Sequence, residues 1–556
     1  MPRRGRRAVA LAGMIVLGVA AILYAGFFWH GYDPLAAAAA EKAKGRIGNV
    51  LAHIPPQCYT KTGGVSNPCW TCHTEKNGRN LADDWELQQK YQFNQQGRNN
   101  YWTNEFADRR ALIAKITDAQ ALAYIRQDNY TPLRQALRDV QLPDLRWKPD
   151  IDLRQGFDSQ GYARDGSGWR AFCYKPFPGT FWPTNGSTDD VLIRLPEAFR
   201  EDAAGQASLE IYRINLTLLE AAVAVPDTVP DDALNYAIEP LDESAAGLDL
   251  DGDGRIGGLA TLIRKLPAHY AGAAAGEPLR RYEYPVGTEF LHTVRYLDPD
   301  APDQMAVHLK ELRYSRKLFR LGDKSLKFRY AEDAREQQTG GWPYFGGDAY
   351  TGMFSEYGWR LQGYIEDAGG RLRLQTREEQ VYCMGCHSGI GVTVDGSFSL
   401  PRKMPGAAGW ARQSLAGMQD VPQAGSDEPE VLRYFRRVGG GDEFRANAEI
   451  LTRYFPGGQL DSAAVLRAAP GGPQDIRALI LPSRERALQL DKAYISLVPE
   501  QSYTHGREAP LAPAQNVYDR IDVDTTGLEP SGRVWRDGRI WLDWNAANGA
   551  AAIPAQ

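Results

Sequence analysis

The sequence predicts an α+β protein of several modules: an N-terminal transmembrane helix, then mainly helical segments that flank a β-rich middle module. Three observations carry this. The chain has 556 residues, too many for one ordinary core. Four arginines within residues 1–7 precede Ala8 to Trp29, a run of 22 residues without charge. Apolar spacing is helix-like up to about residue 155, strand-like from there to 375, and helix-like again beyond it.

Residues 1–30 are expected to span a membrane as an anchor, since the apolar run exceeds the 7–15 residue core of a cleaved signal. Arginines ahead of the span place the N-terminus in the cytoplasm and the body in the periplasm, tethered to the inner membrane. Signal cleavage near Ala38-Ala39-Ala40, releasing the body, is the alternative. Residues 31–45 are an Ala-rich linker. In 46–155, Gly63-Gly64 and Asn67-Pro68 mark turns, and Leu112, Ile116, Leu122 and Ile125 have helical spacing. In 156–375, Val191–Leu195, Ala207–Leu216, Tyr282–Leu297 and Leu309–Phe319 have strand content, and Glu366–Gly370 reads as a hairpin turn. Residues 376–500 are helical and loop-rich. In the terminal segment, 501–556, Asp537-Gly538 predicts a hairpin.

The chemistry is concentrated in Cys69-Trp70-Thr71-Cys72-His73 and Cys383-Met384-Gly385-Cys386-His387. C-x-x-C-H is the attachment signature of c-type haem: two thiols add to the porphyrin vinyl groups and the adjacent His becomes the proximal iron ligand. With six Cys and eight His in the chain, one copy arises by chance about once in a thousand such sequences. A redox dithiol does not need the trailing His, and a zinc site needs a second ligand pair that neither motif has at the usual spacing. Two covalent haems are expected, on Cys69, Cys72 and His73 and on Cys383, Cys386 and His387. The remaining cysteines, Cys58 and Cys173, are either one disulfide or two separate thiols.

The sixth ligand decides whether iron transfers electrons or binds small molecules. Met404, seventeen residues after His387 in a Pro-bounded loop, is the candidate at the second motif, with Met418 as another option. At the first, no Met lies between Met14 and Met305, and His53, twenty residues upstream, is the nearest imidazole. A separate feature is Asp249-Leu250-Asp251-Gly252-Asp253-Gly254-Arg255-Ile256. It matches the first eight positions of an EF-hand loop, with Asp249, Asp251 and Asp253 as carboxylate ligands and Arg255 offering its carbonyl. Position 12 is Ala260 where Glu is expected, so a further carboxylate has to come from elsewhere, with Asp242 and Glu243 near in sequence. One structural Ca2+ is the expectation.

Through its two motifs and export signal the chain resembles c-type cytochromes, as a membrane-anchored periplasmic dihaem protein. Dihaem cytochrome c peroxidases and rubber oxygenases also carry two such motifs, at shorter separation, and no catalytic residue is carried over from them. The middle block matches no such pattern. A net charge of −5 gives no footprint for nucleic acid. The resemblance implies electron transfer between redox partner proteins through the two haems. Two alternatives stand beside it: a dihaem oxidoreductase with one open-site haem, peroxidase- or oxygenase-like, and a calcium-stabilised docking module with a haem relay.

Overall fold

A computed structural model describes residues 31–44, 49–179, 182–341, 343–439, 447–467, 475–501 and 504–546. Its centre is an eight-stranded sheet, antiparallel throughout. The strands are β1 (Arg170–Phe172), β2 (Thr188–Arg194), β5 (Glu289–Leu297), β6 (Met305–Lys317), β7 (Gly346–Asp348), β8 (Gly352–Phe354), β9 (Trp359–Glu366) and β10 (Leu372–Leu374). The order is β1-β2-β5-β6-β9-β8-β7, with β10 also paired to β9. The intervening β3 (Tyr236–Asp242) and β4 (Leu259–Ile263) form a separate two-stranded ribbon.

Residues directly opposed in an antiparallel sheet share a face, and successive residues alternate between faces. Phe172, Val191, His292, Arg313 and Gly363 therefore make one row on the front, since each is paired with the next. Asp189, Val294, Glu311 and Ile365 make the next. The back carries Leu192, Leu291, Leu312, Tyr314 and Tyr364, buried in one apolar cluster with Trp147, Trp169, Leu133 and Leu137. Trp147 stacks on Tyr314 with ring centroids 4.4 Å apart. So the back face is apolar and the front face mixes apolar and charged groups.

The helix Leu209–Ala224 buries all but Leu209, Glu210 and Arg213 and is capped by Ser208, whose hydroxyl accepts from the Ile211 amide. Here the sequence expectation is corrected: Ala207–Leu216 reads as a strand because a helix buried on nearly every side loses its 3.6-residue periodicity.

Other corrections follow. The segment before residue 155 is not mainly helical. After the linker helix Pro34–Ala43, the part around the first motif is a chain of short 3-10 turns at Pro56–Tyr59, Pro68–Thr71, Trp85–Gln88 and Thr103–Phe106, and α-helix resumes only at Arg110. Its Pro and Asn density explains this, because Asn side chains satisfy amides that a helix would otherwise engage. The transmembrane helix expected over residues 1–30 lies outside the described residues, and among those described no helix is long and apolar enough to cross a membrane. The expected architecture, helical haem segments behind a transmembrane helix, is thus replaced by a large antiparallel sheet with irregular segments packed around it. The hairpin at Asp537-Gly538 does not form either. That stretch lies against the first motif instead: Arg536 accepts at its carbonyl from the Glu75 amide at 3.0 Å, and Arg533 from Asn67 Nδ2 at 2.6 Å. Upstream, Val517 bridges Thr60 and the Tyr518 amide donates to Tyr59 at 2.8 Å.

Buried charge pins the loops that follow the second motif. Arg402 grips Glu430 through two bonds of 2.9 and 2.7 Å, and Lys175 contacts Glu430 and Asp420, all four groups being buried. Burial alone would raise the Glu430 carboxyl, but Arg402 and Lys175 outweigh it and hold the group at about 2. Stability from this carboxylate is present above its unfolded value of 4.5 and lost as pH falls toward about 2. Glu430→Ala strands two cations in the interior and should cost about 3–5 kcal/mol, read as a lower urea midpoint at neutral pH. The gap from wild type should narrow steadily between pH 4.5 and 2.

Candidate functional site

Both cysteine motifs fold the same way locally. In each, the His amide donates to the carbonyl of the first Cys, at 2.8 Å for His73 and 3.0 Å for His387. One turn of helix-like backbone thereby brings Cys, Cys and His at positions i, i+3 and i+4 to one side. The first motif starts from the turn Pro68–Thr71, capped by Asn67, whose side chain accepts from the Trp70 amide at 3.1 Å. The second ends the helix Arg377–Met384, opened by a capping box between Thr376 and Glu379. Glu379 is also held by Arg373 through two bonds of 2.8 Å.

Each motif histidine is oriented through Nδ1. His73 Nδ1 lies 2.8 Å from Asp84 Oδ2, and His387 Nδ1 lies 3.0 Å from the Gly396 carbonyl. An acceptor at Nδ1 fixes the tautomer that leaves the Nε2 lone pair free, which is how metal-ligating imidazoles are usually supported. His387 is pushed down to about 4 by burial, with His292 adding to the effect. It is neutral near pH 7, as a ligand has to be.

Two cavities flank the motifs. The first, of about 380 Å3, is lined by Cys58, Cys69, Cys72 and His73, together with His53 and Cys386. The second, of about 180 Å3, is lined by Cys383, Cys386 and His387 and by the front face of the sheet, including Val191, His292, Arg313 and Leu361. Phe177, Tyr382 and Cys386 belong to both walls. Motifs more than 300 residues apart in the chain therefore meet across three shared side chains. The second motif also packs tightly on the segment ahead of the first: a Cβ on Gly385 would stand 1.9 Å from the His53 carbonyl oxygen.

These residues fit covalent haem. Two thiols and an imidazole lie to one side of each cavity, and the cavity walls are mostly apolar. Burial pushes the Cys386 thiol up to about 12, with Cys72 and Cys383 adding to it, and raises Cys58 as well. A small-ion site fits less well, because among the described residues no three Cys or His ligand atoms lie within 4.8 Å of one another.

His53 stands in the same cavity as His73, its ring edge-on to Phe345 at 5.3 Å, and burial pushes it down to about 4. Met404 stands elsewhere. Its sulfur is 3.7 Å from Cys173 Sγ, in an apolar cluster that also holds Met418, and neither Met lines the second cavity. Cys58 and Cys173 are both free thiols, Cys58 in the first cavity and Cys173 donating to the Ser414 carbonyl at 2.9 Å. Sequence reasoning missed Asp84, and it set His292 aside, with His269, His308 and His505, as an ordinary packed or surface histidine. An acidic residue eleven positions after His73 is a weak signal for the first, and His292 has none before strand pairing is known.

In the acidic loop, Asp249, Asp251 and Glu243 offer carboxylate oxygens within 4.8 Å of one another. Gly252, at φ +73°, makes the sharp turn and donates to Asp249 at 2.7 Å. Asp253 stands outside that trio and accepts from the Arg255 amide at 2.8 Å.

A protein-family model described as ":-like lipoprotein" matches residues 43–464, which include both motifs. An "Uncharacterized lipoprotein" from Aquifex aeolicus (strain VF5) is 30% identical over 561 residues, covering 88% of this chain and 91% of its own. No solved structure matches. The chain belongs to this lipoprotein family, and membrane association goes with that membership. The expected kinship with c-type cytochromes is corrected accordingly: the two five-residue motifs are what the chain shares with them. The first cysteine in the sequence is Cys58, and its place is in the wall of the first cavity.

Proposed function

For this member of a lipoprotein family, we propose a redox role outside the cytoplasm: two haems held covalently, one per motif, passing electrons between partner proteins at the membrane surface. The observation that carries this is the meeting of the two motifs across Phe177, Tyr382 and Cys386. Bound there, each haem would supply a one-electron iron couple. The chain's own residues do the rest. Cys69 and Cys72, and Cys383 and Cys386, offer thiols for thioether bonds. Asp84 and the Gly396 carbonyl engage Nδ1 of His73 and His387, which would leave each Nε2 to hold the iron. Tyr382 and Phe177 fill the space between the two sites and keep water from it.

A second reading, an oxidoreductase with one open-site haem, is favoured by one asymmetry. The cavity of the first motif, at about 380 Å3, is roughly twice that of the second at about 180 Å3, and falls within the ~300–1,000 Å3 usual for small-molecule sites. His53 stands in that cavity, so whether it ligates decides between the readings. Carbon monoxide separates them. The electron-transfer reading expects the reduced protein to leave it unbound, while the oxidoreductase reading expects uptake at the first haem, unaffected by His53→Ala.

The acidic loop we assign to one structural Ca2+, held by Asp249, Asp251 and Glu243, with Glu243 in place of the missing Glu at position 12.

Mass spectrometry of the mature chain should show the added mass of two haems, and the pyridine haemochrome assay should agree. Cys69→Ser/Cys72→Ser should lose one haem and keep the other, as should Cys383→Ser/Cys386→Ser. A wild-type chain with no added mass would sink the reading. Titration calorimetry should detect one Ca2+ per chain, with Asp249→Asn weakening it at least tenfold and removing the rise in Tm that Ca2+ gives wild type.

A further inference from the structure

The second cavity holds an imidazole besides that of His387. His292 sits on β5, opposite Val191 of β2 and Arg313 of β6. That pairing puts it on the front face, while its neighbours Leu291 and Thr293 turn to the back. The front face is one wall of the cavity, contributing Val191, His292, Val294, Arg313 and Leu361. His387 enters from a different wall, the turn that follows the helix Arg377–Met384. Two imidazoles on different elements thus border one space of about 180 Å3.

The surroundings of His292 leave it suited to a metal. The Asp189 carboxylate flanks its Nδ1 edge at 3.6 Å and is itself engaged by the Tyr174 hydroxyl. At 3.6 Å this is not a formed hydrogen bond, but it places an acceptor on the Nδ1 side and leaves Nε2 as the nitrogen without one. The neighbouring cation is occupied: Arg313 donates to Glu311 at 2.8 Å, and the other Glu311 oxygen accepts from Arg507 at 2.9 Å. The alternative donors of this region, Met404 and Met418, are packed in the cluster around Cys173.

We propose that His292 is the second axial ligand of the iron carried by the second motif, so that this site has two imidazole ligands. The inference rests on the reading of Cys383, Cys386 and His387 as a haem attachment site. It makes the second site a closed relay, lower in potential than a His/Met site would be, and leaves the larger first cavity as the place where any small molecule binds.

The test uses the full-length protein with both haems attached, in three variants: His292→Ala, His292→Met and Met404→Ala. Electron paramagnetic resonance should show one haem per chain changing from low to high spin in His292→Ala. The reduced variant should bind one more carbon monoxide per chain than wild type. His292→Met should restore the low-spin state with a higher potential for that haem, a rescue that keeps the test decisive if the Ala variant loses its haem. Met404→Ala should leave spectrum and potential unchanged. The assignment is overturned if neither His292 variant alters spin state, potential or carbon monoxide uptake, or if Met404→Ala does. A wild-type chain carrying no haem on Cys383 and Cys386 would overturn the underlying reading instead, which mass spectrometry registers separately.

Discussion

The antiparallel register that sets Val191, His292, Arg313 and Gly363 opposite one another governs what the second cavity contains. Because the side-chain period of a strand is two, a slip of one residue between β5 and its neighbours would send His292 to the apolar back and bring Leu291 or Thr293 forward. Large apolar side chains on the back, led by Leu192, Leu312, Tyr314 and Tyr364, make such a slip expensive, since each would have to leave a packed cluster. The packing of one face therefore fixes the chemistry of the other. Gly363 completes the row where space runs out: a Cβ there would meet the Gln375 side chain at 2.3 Å.

Charge as well as apolar packing fastens the second motif to that face, where Val381 and Met384 share a core cluster with Val191 and Leu361. Glu311 on β6 takes Arg507 from the C-terminal segment, and Arg507 also donates to the Glu379 carbonyl at 2.6 Å. Glu379 caps the motif helix and binds Arg373 from β10. Sheet, helix and terminal segment are thus tied by a chain of buried, alternately signed groups. Burial by itself would raise the Glu311 carboxyl, yet Arg313 and Arg507 bring it down to about 2. Networks of this kind contribute little net stability after desolvation, but their directional bonds hold the motif helix in one orientation over the sheet.

The two motifs are legible in the sequence because their geometry is local: five residues and one helical turn set thiol, thiol and imidazole. Features resting on long-range pairing are not. His292 acquires its role only when β2, β5 and β6 are aligned, whereas Glu243 is already a candidate in the sequence beside Asp242, and the fold selects it as the carboxylate near Asp249 and Asp251. Met404 looked like a ligand from its Pro-bounded loop, yet the loop turns its sulfur toward Cys173. Asp537-Gly538 has the residues of a hairpin turn, but its flanking backbone bonds to Glu75 and its carboxylate to Arg433 and Arg437. Ala207–Leu216 reads as a strand, and is helix from Leu209, for a different reason: burial on nearly every side erases the polar face by which a helix is told from a strand.

The packing of residues 517–536 beside the first motif comes late in biogenesis. Synthesis delivers Cys69 to His73 hundreds of residues before the stretch that packs beside them. On the haem reading, Cys69 and Cys72 can be loaded before or after that stretch packs, because none of its residues lines the first cavity; what it adds is a clamp on the turn that carries them.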